Sequence, residues 1–151
     1  MWEYNNSAIY ISNKKNPINS EYFIWTSNQI IARARIANHL FIDGTFHHPI
    51  NFAQLLIIIF KDVFSSDYIP GFYILMSNKT EIIYDIIFKS FKKILTQNGI
   101  YTLNLKTITT DTELALINAV NNNFCRCSKY WMLVPFETRF TKGIKSIRIT
   151  Q

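Results

Sequence analysis

The chain has 151 residues, 48% apolar and 15% aromatic, with a formal charge of +6, so it is one domain by length with enough apolar material for a core. Four Gly, four Pro and no repeat exclude fibrous and low-complexity classes. Residues 1–10 lack the order of a signal peptide and the longest apolar run, 55–60, is too short to cross a bilayer, so a soluble intracellular chain without a membrane partner is expected.

The charge is unevenly placed. Residues 1–123 carry ten Lys and Arg against nine Asp and Glu. Residues 124–151 carry Arg126, Lys129, Arg139, Lys142, Lys145 and Arg148 against Glu137 alone. The basicity belongs to the last segment, which weakens the case for a nucleic-acid surface over the whole domain. Cys125 and Cys127 form a lone Cys-x-Cys with no second pair or nearby histidine, which does not support a zinc site.

In chain order, 1–20 reads as a polar, asparagine-rich lead-in, and 22–26 as a short β-prone run. Ser27 suits the cap of a helix through 37, with Ile30, Ile31, Ala34 and Ile36 or Ala37 turned inward and Arg33 and Arg35 towards water. The stretch 39–46, His-Leu-Phe-Ile-Asp-Gly-Thr-Phe, reads as a short buried strand that delivers Asp43 to the end of a sheet. A carboxylate held there suits a divalent metal; the plainer reading is an acid in an Asp-Gly turn. Of His47 and His48, at most one could join such a site, because adjacent strand residues face opposite ways.

After Pro49, 52–60 is a nearly continuous apolar run of strand length, 62–67 a polar turn, and 69–76 a third β-rich run opened by Pro70 and Gly71. Short connections favour an antiparallel meander of these three strands. The stretch 78–96 reads as a helix capped by Asn78 or Thr80, with Ile83, Ile87, Phe91 and Ile94 or Leu95 at helical spacing. That helix is a crossover, so the next β-prone run, 105–110, can lie parallel to an earlier strand. Asp111 follows it, either as a second strand-end metal ligand or as the N-cap of a helix through about 121.

The residues themselves resemble a known family. Asp-Gly-Thr-Phe at 43–46, Pro49, Phe52 with Gln54-Leu55-Leu56, Ile69-Pro70-Gly71-Phe72-Tyr73-Ile74-Leu75-Met76, Asn78-Lys79-Thr80-Glu81, Thr110-Asp111 and Ala115-Leu116-Ile117-Asn118-Ala119 together look like the transposase domain of Mutator-like elements, the MULE family. The resemblance implies an α/β fold of ribonuclease H type, with a mixed sheet of three antiparallel strands and a fourth parallel to the first. It implies Asp43 and Asp111 as catalytic, metal-binding acids for two Mg²⁺ or Mn²⁺ ions, DNA at the transposon ends as partner, and a nuclear location. In such a site the ions sit roughly 3.5–4 Å apart and act on the attacking and leaving oxygens of a phosphodiester.

The resemblance covers 21–123 and breaks at Phe124. Members continue with a fifth strand containing Gly-Cys, a helix and a third acid, whereas this chain has an atypical basic tail, 124–151, in which Glu137 is the one acid. The fifth strand is therefore expected to be missing and the 105–110 strand to be an open edge. Trp and Met have single codons, so Trp131-Met132-Leu133 moved forward by one base must encode Gly-Cys. That suggests a frameshifted or truncated copy, which reading the gene in all three frames across codons 120–151 would decide. The expected function is a transposase-derived domain, inactive for want of the third acid. The alternatives are a non-catalytic module that binds DNA or protein, with the tail's basic and aromatic residues as a nucleic-acid patch, or a metal nuclease that recruits Glu137.

Overall fold

The computed structural model of the chain describes residues 20–45 and 50–124, and the backbone of 128–132. The lead-in before Ser20, His47, His48, Pro49, both cysteines and Glu137 lie outside the described residues. The element order is β1 (Tyr22–Trp25), α1 (Asn28–Ala34), β2 (His39–Thr45), β3 (Gln54–Lys61), β4 (Tyr68–Met76), α2 (Glu81–Gln97), β5 (Thr107–Asp111), α3 (Leu114–Asn123) and β6 (Ser128–Met132). The strands form one mixed sheet in the order β1-β4-β3-β2-β5-β6.

β2, β3 and β4 are mutually antiparallel, β1 adds antiparallel to β4, and β5 lies parallel to β2. The fifth strand expected to be missing is present: β6 pairs parallel with β5, from Thr107 against Ser128 to Asp111 against Met132. The 105–110 strand is therefore not an open edge. Ser-Lys-Tyr-Trp-Met is β-prone whatever its origin, and the unpaired backbone of β5 offers it a ladder.

The alternation of β2 divides the molecule into two faces. Leu40 and Ile42 join the main core, which takes in Ile31 and Ala34 of α1, the apolar side of α2, and Leu116, Ala119 and Val120 of α3. Phe41 points the other way into a smaller cluster with Ile59, Ile57 and Tyr68. All three helices thus pack on one face of the sheet.

Several element ends differ from the sequence reading. α1 stops at Ala34 because Ile36 and Ala37 donate to Arg33 and Ala34, three residues back, and tighten the last turn out of the α-helical ladder. Ser27 does cap it, accepting from the Ile30 N–H at 3.3 Å. Arg33 is exposed, as expected, and also pairs with Asp62 at 2.6 Å. α2 starts after Thr80, whose hydroxyl accepts from Ile83. It is pinned to α3 by Asn118 and Asn122 on Glu81 and by Asn123 on Asp85. α3 starts at Leu114 with Glu113 as its cap residue, so Asp111 is the last residue of β5 and not an N-cap.

Candidate functional site

Asp43 and Asp111 owe their nearness to the pairing of β2 with β5. Those strands run in the same direction and pair through Ile42 and Thr110. The next residue on each is an aspartate, so the two acids occupy neighbouring positions on strands about 4.8 Å apart. Ile42 and Thr110 are both fully buried towards the helices, so alternation turns both aspartates to the opposite face, shared with Phe41 and Thr109. They also stand at the carboxyl ends of parallel strands, the usual place for a ligand site in an open α/β sheet.

The two acids differ in their surroundings. Asp43 pairs across to Ile57 and is half-buried. Asp111 accepts the Glu113 N–H on Oδ1 at 2.9 Å, which folds the chain back between β5 and α3. Burial pushes the Asp111 carboxyl above its ordinary value and the charge of Glu113 adds to this, against the Glu113 N–H and Lys79, which pull it down.

The two carboxylates fit one hard cation, because Mg²⁺ is commonly held by one or two carboxylates with water in its other positions. Among the described residues there is no group of three or more His, Cys, Asp or Glu that could hold a metal ion, so a two-ion centre has no complete ligand set there. His47, His48 and Glu137 fall outside the described residues. His39, on the same face, is not brought to the acids. It starts β2, stacks on Phe41 with ring centroids 4.3 Å apart, and its Nε2 meets Thr109 Oγ1 at 2.9 Å.

Sequence reasoning missed a polar group behind the acids, on the helix face. Tyr84 of α2 is fully buried, with its hydroxyl 2.6 Å from Gln54 Oε1 and 3.0 Å from Glu113 Oε1. Lys79 Nζ meets the other oxygen of Glu113 at 2.7 Å. The phenol has one hydrogen for two acceptors. The arrangement is satisfied when the Gln54 amide is turned to donate to Tyr84 while Tyr84 donates to Glu113. Burial, then the charge of Glu113, raise the phenol's pKa, so Tyr84 stays protonated and able to donate. The signal available beforehand was a tyrosine among the inward positions of an apolar helix, whose hydroxyl must find a partner.

This is an α/β domain that carries two carboxylates at the ends of adjacent parallel strands. Residues 39–133, more than half of the chain, match the family of the MULE transposase domain, and the chain belongs to that family. The match starts at His39, leaving β1 and α1 outside it, and runs past Phe124 to take in β6. No curated protein and no solved structure matches the chain.

Proposed function

We propose that this transposase-derived domain, with the ribonuclease H-like arrangement of its relatives, keeps a single-cation site at Asp43 and Asp111 and does not cleave DNA. The observation that carries the reading is the register of β2 on β5, which sets the two acids side by side at one end of the sheet. Family membership supports Mg²⁺ or Mn²⁺ as the cation, DNA as the ancestral partner and the nucleus as the compartment. When bound, such an ion would polarise a phosphodiester oxygen, but in-line displacement by a two-ion centre needs a second ion and the ligands to hold it. The chain's own part is to hold one hydrated ion between two aspartates, one of them poorly compensated in charge. A change of reading frame after Phe124 and before Trp131 belongs to the same proposal.

Incubation of the chain with end-labelled duplex DNA and Mg²⁺ or Mn²⁺ tests the catalytic half of the reading. The expected result is no nicking above that of Asp43→Asn. Metal-dependent nicking by the wild-type chain that disappears in Asp43→Asn would overturn it and favour a nuclease that recruits Glu137.

A further inference from the structure

Behind the two acids, the side chains of three elements form one connected path. Gly44 directly follows Asp43 and faces the helices. A Cβ on Gly44 would fall 1.4 Å from Gln54 Nε2 and 2.5 Å from its Cδ, so the Gln54 amide lies in the space that the glycine leaves open. That amide is itself almost fully buried and bonded to Tyr84, which is bonded to Glu113. The Glu113 N–H ends the path on the Asp111 carboxylate, and Lys79 holds the far oxygen of Glu113.

We propose that Tyr84 is a positioning residue: through Gln54 against Gly44 on one side and Glu113 on the other, its hydroxyl sets the ends of β2 and β5, and so Asp43 and Asp111, at one fixed separation. The helix that carries Tyr84 packs on the face of the sheet opposite to the one towards which alternation turns the two acids. A fully buried phenol with two partners on two different elements can exchange neither for water, so the two strand ends cannot drift independently while both bonds hold. The consequence for a cation is preorganisation, since two carboxylates already at the right spacing lose less freedom when the ion arrives.

The inference rests on the cation site proposed above, and the experiment separates the two. Tyr22 supplies the control: it is equally buried and its hydroxyl meets Ser90 on the same helix at 2.9 Å, a partner outside the path from Gln54 through Tyr84 to Glu113. Tyr84→Phe and Tyr22→Phe each remove one buried hydroxyl. Two quantities are measured at fixed pH: exchange of the Glu113 amide proton in the metal-free chain by NMR, and Mn²⁺ affinity by calorimetry.

Tyr84→Phe should speed Glu113 exchange and weaken Mn²⁺ binding, each by about tenfold, the scale of one lost buried hydrogen bond, with neither changed in Tyr22→Phe. Equal exchange rates in the two variants would overturn the positioning role. If the wild-type chain binds no Mn²⁺, the cation reading falls while amide exchange still decides the positioning. Should Tyr84→Phe not fold, Glu113→Ala decides: it keeps the N–H but loses the link to Tyr84, so the amide should exchange about tenfold faster. Glu113→Gln, which keeps an acceptor for Tyr84, should restore protection. Wild-type exchange in Glu113→Ala would overturn the proposal.

Discussion

At the scale of single residues, burial disfavours the charged form of two titratable groups on one face of the sheet and so moves their pKa values in opposite directions. For Asp111 it pushes the carboxyl above its ordinary value, as the cation site proposed above would require of a ligand that gains by a nearby positive charge. For His39 it keeps the ring neutral: burial first, and then the charge of Lys61, pull its pKa from 6.5 down to about 4. The folded chain therefore refuses a proton that the unfolded chain accepts. Stability should be unaffected by this residue above pH 6.5, fall as the pH drops from there towards about 4, and lose nothing further from it below. Urea denaturation across that window should show a shallower pH dependence for His39→Gln than for the wild-type chain. An unchanged slope would mean that the imidazole is not held neutral. The histidines that drew attention in the sequence were His47 and His48, because of their place beside Asp43. The role of His39 depends on Thr109, seventy residues away in the chain, and on a stack with Phe41, and neither has a local signature.

At the scale of elements, most of the strands and helices were legible because their periods are clean. β3 reads as apolar on both faces, although only its helix side is covered throughout and Leu55 and Ile57 on the other side are half-buried, and the stripe of α2 from Ile83 to Leu95 is the side that packs on the sheet. Their ends were less legible, since they depend on hydrogen bonds that the pattern does not encode. Asp111 looked like a helix cap because an acid before a helix usually is one, yet the ladder with β6 carries the strand through it. The tightest junction between elements is Gly44 of β2 beneath Gln54 of β3 and Tyr84 of α2. Gly44→Ala should displace the Gln54 amide from Tyr84 and cost about 1–3 kcal/mol, the penalty of stranding a buried polar group. Denaturant midpoints check this. A variant as stable as the wild-type chain would show that Gln54 can move aside freely.

At the scale of the whole molecule, the sheet order brings together residues that stand far apart in the sequence. Two short motifs, Asp-Gly-Thr-Phe and Thr-Thr-Asp, meet because the α2 crossover returns the chain beside β2 in parallel. The crossover made a parallel pairing with an earlier strand legible, and the family resemblance implied that the partner is the Asp43 strand. β6 was not legible, because the family's motifs break off at Phe124 and the basic segment beyond it reads as an atypical tail. Pairing with β5 is a backbone property that such composition does not forbid. The family match takes in β2 to β6, leaves β1 outside and ends just past β6. The central claim is that this transposase-derived sheet still presents two aspartates as one cation site. Titration of the metal-free chain with Mn²⁺, followed by calorimetry, tests it most directly when Asp43→Asn and Asp111→Asn are run beside the wild-type chain. The account predicts one ion per chain, bound in the wild type and lost in both variants. Binding that survives either substitution, or no binding in the wild-type chain, would contradict it.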